Sequence, residues 1–212
     1  MSTKLSRREY KIVINDFNVY KFLNVINKEF DQLYMDRFIK SLYFDTLGFK
    51  LYKESLFQDS DRFKIRFRNY PRSNEKIYKE IKFNTAEGKK KTVEEVSFKK
   101  FSHIKEYFFQ GIEYYPASFV QYKRSYFANE NIRLTIDKDV MYQSHRFRGI
   151  NNKIYSRKTI IEYKLLKSNQ SNLFSKIFYD KNDSIEDKII KNPEKFSKYV
   201  DSVSNLYNVK IN

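Results

Sequence analysis

Charged side chains recur at every second position in several β-rich stretches of this 212-residue chain, a spacing that concentrates them on single strand faces. In residues 63–83, FKIRFRNYPRSNEKIYKEIKF, the apolar Phe63, Ile65 and Phe67 alternate with Lys64, Arg66 and Arg68. Asn69, Pro71 and Ser73 supply turn chemistry, and residues 77–83 form a returning arm that puts Tyr78, Glu80 and Lys82 on one face. Related charged faces occur at Arg7, Glu9 and Lys11, at Arg133 and Asp137, and at Glu162 and Lys164, while Tyr122, Arg124 and Tyr126 share a face at 119–127. Arginine forks and lysine ammoniums neutralise anionic oxygens, and a carboxylate can hold a hard divalent cation, so the chemistry on offer is capture of a polyanion.

The totals agree. There are 42 Lys and Arg against 26 Asp and Glu, a net charge of +16, which predicts attraction to a polyanion or an anionic surface. With no cysteine, disulfides and thiolate metal sites are excluded, and two histidines, His103 and His145, are too few for a His-built centre. Any metal must sit on carboxylates. Neither a G-x-x-x-x-G-K-[ST] nor a G-x-G-x-x-G motif occurs, so phosphates would be bound by side chains and not by a glycine-rich loop. The opening MSTKLSRREYK lacks an apolar leader core, and no stretch reaches the roughly 18 apolar residues of a membrane span. The expectation is one soluble, cytoplasmic domain over residues 1–212, without an internal linker.

The elements that must position these faces follow from periodicity. Residues 7–14 read as a strand ending at the helix-start signal Asn15-Asp16, and Val19, Phe22, Leu23, Ile26 and Phe30 recur at helical spacing over 17–30. Residues 41–46 read as strand, with 51–55 as its short continuation. After the 63–83 hairpin, Thr85 to Gly88 is a turn, Lys89 to Lys91 a basic loop and 92–98 a strand. Phe101, Ile104 and Phe108, with Gly111 beyond, predict a short helix closed by a glycine. Strands follow at 119–127, 132–137 and 159–165, with 146–158 as a basic loop or hairpin. The rest reads as helical: Leu173 to Phe178, Ile185 to Ile190, and a last helix started by Asn192-Pro193.

Six or more strands with one charged and one apolar face fit two architectures. In an open sheet the charges face water; in a closed barrel they line a lumen whose mutually repelling cations demand an anionic ligand. Periodicity does not separate the two. The ordered series RREYK (7–11), SLYFDT (41–46), KIRFR (64–68), KEIK (79–82), YKRSY (122–126), RLTID (133–137), IIEYKL (160–165) and FSKY (196–199) resembles the VTC domain. That domain is the polyphosphate polymerase branch of the triphosphate tunnel metalloenzyme, or CYTH-like, superfamily, and the resemblance covers nearly the whole chain.

The resemblance implies an α+β fold: a closed antiparallel β-barrel tunnel of about eight strands with a charged lumen and flanking helices. It implies transfer of the γ-phosphoryl of ATP to a growing polyphosphate chain, assisted by a divalent metal, Mn²⁺ or Mg²⁺. Lys11, Arg66, Arg68, Lys82, Arg124, Arg133 and Lys198 match phosphate-binding positions, with Lys91 matched through a loop. Glu162 matches the metal ligand. Glu9 and Asp137 would help to hold metal or water, and Lys164 extends the Glu162 face. The partners implied are ATP and inorganic polyphosphate, with no specific nucleic acid and no membrane span, although peripheral association with a membrane partner is compatible.

The chain departs from its eukaryotic relatives, which carry an SPX sensor domain and membrane helices that it does not show. RREYK also lacks the Glu-x-Glu-x-Lys of the triphosphatase branch. The rival functions are a triphosphatase or cyclase of the same fold, and a non-catalytic polyanion or nucleic-acid binding module. The module is disfavoured by the absence of a recognition helix, an RNP motif or a zinc site.

Overall fold

The computed structural model describes residues 9–15, 19–70, 76–97, 100–146, 152–166 and 193–209. Arg7, Pro71, Ser73, the expected helical stripes at 173–190 and the Asn192 start signal lie outside them. The strands are β1 (Glu9–Asn15), β2 (Asp31–Asp45), β3 (Arg62–Asn69), β4 (Ile77–Thr85), β5 (Gly88–Val96), β6 (Tyr107–Phe109), β7 (Ile112–Ala128), β8 (Ile132–Ser144), β9 (Lys153–Tyr155) and β10 (Lys158–Leu165). The helices are α1 (Val19–Glu29), α2 (Lys50–Phe57) and α3 (Lys198–Leu206). The α+β class is therefore as expected.

The strands hydrogen-bond in the order β1-β10-β8-β7-β2-β3-β4-β5, with β6 paired to β7 and β9 to β8. The path is open. No register joins β1 to β5 among the described residues, so the expected closed barrel is corrected to an unclosed antiparallel sheet. The composition of β5 accounts for this: it is exposed almost throughout, and its Lys89, Lys90, Lys91, Glu94 and Glu95 resist the addition of another strand.

The chain divides into two compact units. The first comprises residues 1–36, 123–140 and 157–196, and the second 37–122, 141–156 and 197–212. In the first, the apolar positions of β1, β8 and β10 form one face, with Ile12, Ile14, Ile132, Leu134, Ile136, Ile161 and Tyr163 all buried. Val19, Phe22 and Ile26, one stripe of α1, close over it. Each such side chain contributes roughly 1.5–3 kcal/mol of transfer free energy. Because strand side chains alternate, fixing these residues inward forces Glu9, Lys11, Arg133, Asp137, Glu162 and Lys164 onto the opposite face.

In the second unit Leu42, Phe44, Ile65, Phe67, Ile77, Ile81 and Tyr114 form the core, with Leu51 of α2. Residues 51–55 are thus helix, not the expected strand. The helix begins where it does because the buried Asp45 carboxylate accepts from the backbone N–H groups of Leu51 and Tyr52, both at 2.9 Å, and the Thr46 hydroxyl accepts from Lys50 N at 3.1 Å. Lys89 to Lys91 also differ from expectation, lying in β5 opposite Asn84, Phe83 and Lys82. The short helix predicted from Phe101, Ile104 and Phe108 is a 3₁₀ turn (Phe101–His103) followed by β6. Gly111 serves the β6–β7 turn: Gln110 and Gly111 have φ of 49° and 74°, the two positive values a tight two-residue hairpin requires. The last helix starts at Lys198, capped by the Ser197 hydroxyl, because residues 193–196 are otherwise engaged: Glu194 N donates to Lys11 O at 2.8 Å.

Candidate functional site

Within the second unit, β3 and β4 bring Arg66 directly opposite Glu80. Arg66 donates to Glu80 Oε2 from Nε (2.7 Å) and Nη2 (2.5 Å), while Lys91 Nζ lies 3.2 Å from Oε1 and Arg68 Nη1 3.9 Å from Oε2. Three cations thus share one carboxylate that is 3 % exposed. Burial alone would raise the Glu80 pKa, but Arg66, Arg68 and Lys91 overcome it and hold the group at about 2. Arg68 is buried and donates to two hydroxyls, from Nε to Ser41 (3.1 Å) and from Nη2 to Tyr122 (3.1 Å). Lys198 Nζ stands 4.7 Å from the centre of the Tyr122 ring. Lys64 faces Lys82, which faces Lys91 across the next pair, a row of like charges that is unfavourable unless an anion compensates it.

Tyr43 completes this cluster. Its hydroxyl accepts from Arg66 Nη1 at 3.2 Å, and its ring stacks on Tyr199 at 5.0 Å. The Tyr199 hydroxyl in turn donates to Asp45, so the residue that caps α2 also fixes the first turn of α3, which carries Lys198. Sequence spacing put Arg66 and Arg68 on one face and Glu80 and Tyr122 on others, but it gave Glu80, Tyr43 and Tyr122 no place in the site. Their signal lies in cross-strand register, which alternation alone does not specify.

Within the first unit, Glu162 sits opposite Lys11 on β1 and Thr135 on β8. Lys164 Nζ bridges two carboxylates, 3.2 Å from Glu162 Oε1 and 3.4 Å from Glu9 Oε2. Burial would raise the Glu162 pKa, but Arg124, Lys11 and Lys164 reverse the effect and keep it ionised below the ordinary range. Lys11 Nζ donates to Phe196 O at 3.0 Å and is 4.0 Å from Glu9. Arg124 clamps Asp137, Nε to Oδ1 at 2.5 Å and Nη2 to Oδ2 at 2.7 Å. Arg133 is exposed on the same face, opposite Lys164.

Among the described residues no three Asp, Glu or His side chains converge as a cage, and both Asp137 oxygens are engaged by Arg124. Glu162 and Glu9 already accommodate one cationic group between them, the Lys164 ammonium. Across the strand pair from Glu162, the buried Thr135 Oγ1 has no hydrogen-bond partner among the described residues. This all-oxygen set fits a Mg²⁺ or Mn²⁺ ion that is held by one or two carboxylates and completes its shell with water and substrate phosphates. It does not fit an ion held by protein alone.

Comparison with known proteins fixes the lineage. The VTC domain family matches residues 6–113 and 91–207. No curated protein matches the sequence. Among solved structures, a candidate adenylyl cyclase from Hippeastrum with a dominant triphosphatase activity aligns at 15% identity over 96% of this chain and 99% of its own, TM-score 0.56. A candidate adenylate cyclase from Vibrio parahaemolyticus aligns at 12% identity over 94% and 99%, TM-score 0.52. At these identities the likeness shows fold alone, and it agrees with the family match. The chain belongs to the VTC domain family.

Proposed function

We propose that the protein is a polyphosphate polymerase that moves the γ-phosphoryl of ATP onto a polyphosphate chain held by its charged strand faces. The observation that carries this reading is the Arg66–Arg68–Lys91 cluster around Glu80, in a chain that belongs to the VTC family. Three cations and one carboxylate leave surplus positive charge that a run of phosphates would neutralise. Phosphoryl transfer asks the protein mainly to align the reacting groups and neutralise their oxygens. A terminal oxygen of the chain forms a bond to the γ-phosphorus while the bond from that phosphorus to the bridging β–γ oxygen breaks, releasing ADP. No covalent nucleophile is required.

In this reading Arg66, Arg68, Lys82, Lys91 and Lys198 bind phosphates in the second unit, and Lys11, Arg124, Arg133 and Lys164 do so in the first. Glu162, helped by Glu9, would hold a divalent ion, which supplies charge neutralisation at the phosphates. Asp137 keeps the Arg124 guanidinium in a fixed orientation through its two hydrogen bonds.

The reading predicts selectivity for flexible phosphate chains, since nearly all of these cations lie on strand faces beside carboxylates and most are half-buried or buried, poorly placed to meet a rigid duplex. Tripolyphosphate should therefore bind more tightly than double-stranded DNA of equal charge and raise the melting temperature, because a ligand of the native state stabilises it. Competition by fluorescence anisotropy at fixed salt tests this. Equal competition by duplex DNA would replace the polymerase with a nucleic-acid binding module.

A further inference from the structure

The Tyr43 hydroxyl has one half of its hydrogen bonding satisfied. A phenol both donates and accepts, and this one accepts from Arg66 Nη1 at 3.2 Å. Among the described residues no acceptor takes its proton. The ring is 5% exposed and cannot swing freely, because it stacks on Tyr199 at 5.0 Å with an interplanar angle of 23° and Tyr199 is itself tied to Asp45. An uncommitted O–H is thus fixed beside the Arg66 guanidinium, whose carbon lies 6.0 Å from the ring centre. Burial pushes the phenol pKa up, yet Arg66, Arg68 and Lys198 bring it below the ordinary value, which marks the hydroxyl's surroundings as strongly positive.

A buried donor without an acceptor is unfavourable, and the acceptor favoured by a cationic neighbourhood is an anionic oxygen. We infer that Tyr43 is a further substrate-binding residue, donating its phenolic hydrogen to the phosphate oxygen held by Arg66. The inference rests on the phosphate-binding reading above and adds a neutral donor to it. The contact is an O–H···O⁻ bond, shorter and stronger than one to a neutral oxygen, so it would add a second directional contact to the phosphate oxygen that Arg66 holds.

The test is a double-mutant cycle read by tripolyphosphate affinity, with Tyr43→Phe, Arg66→Ala and the combination. Phenylalanine keeps the ring and its stacking partner, so the melting temperature should stay near that of the parent. Affinity should fall roughly 10-fold or more in Tyr43→Phe, the size expected of a hydrogen bond to a charged group. A clear further loss should also appear when Tyr43→Phe is added to Arg66→Ala, because the hydroxyl touches the phosphate itself. If Tyr43→Phe binds like the parent, or loses affinity only while Arg66 is present, the hydroxyl is merely an acceptor that orients Arg66 and the inference is overturned. If the parent itself fails to bind tripolyphosphate, the phosphate-binding reading falls and the inference falls with it, a result distinct from the other two.

Discussion

Changing Arg66 and Arg68 together to alanine should weaken tripolyphosphate binding by about 3–6 kcal/mol, roughly 10²- to 10⁴-fold, with turnover falling in parallel. Each guanidinium contact to a phosphate contributes about 1.5–3 kcal/mol, and the two side chains share Glu80, so their effects will couple. The variant also strands Glu80 with Lys91 alone. In the parent the Glu80 pKa is depressed from 4.5 to about 2, so its stabilising contribution is complete above about pH 4.5 and is lost as the pH falls towards 2. At 1.36 kcal/mol per unit this is about 3 kcal/mol. Acid titration of stability should show that loss in the parent and little of it in the double variant. Equal acid sensitivity would mean that the arginines do not hold the Glu80 charge, and unchanged tripolyphosphate affinity would remove them from the site.

Glu162→Gln should behave differently in kind. It preserves size and removes the charge that a hard divalent ion requires, so turnover should drop by orders of magnitude while polyphosphate binding persists or tightens. Tightening is expected because Lys164 and Lys11 would be released from a carboxylate that now offsets them. Calorimetric titration of Mn²⁺ into the folded variant, in parallel with the parent, separates metal binding from a purely structural role. Unchanged Mn²⁺ affinity, with lowered stability alone, would make Glu162 the ion-pair partner of Lys164 and nothing more.

The fold was most legible where one face is buried and the other charged. Ile132, Leu134 and Ile136 opposite Arg133, Thr135 and Asp137 read as a strand with one apolar and one charged face, and the same holds at 63–68 and 159–165; in the structure the apolar sets join the two cores. Legibility failed where a distant group decided the local structure. Residues 51–55 carry too few apolar positions to signal a helix, and the Asp45 cap that starts α2 acts from before the helix, across a bend. Lys89 to Lys91 read as a loop because an exposed edge strand has no apolar face to show. The last helix read as starting too early because the Asn192-Pro193 signal is local, whereas the backbone contact between Glu194 and Lys11 is not.

The candidate site divides along the same line. Alternation identified which residues share a face, and the family resemblance identified which of them match phosphate-binding positions. Neither revealed that Glu80 gathers Arg66, Arg68 and Lys91, that Lys164 joins Glu162 to Glu9, or that Tyr43 is locked by Tyr199. Those arrangements depend on cross-strand register and on α3, and they convert a set of charged strand faces into specific partners. Closure was the largest overreach: a pattern of charged faces is compatible with a barrel, but the edge chemistry of β5 leaves the described sheet open.

The activity proposed for this chain is polyphosphate synthesis. Purified protein incubated with Mn²⁺ and ATP labelled on the γ-phosphate, followed by electrophoresis of the products, tests it most directly. A polymerase should accumulate label in chains of increasing length as ADP appears in step. Label recovered only as free phosphate or as tripolyphosphate, with no longer chains, would contradict it and assign the site to hydrolysis.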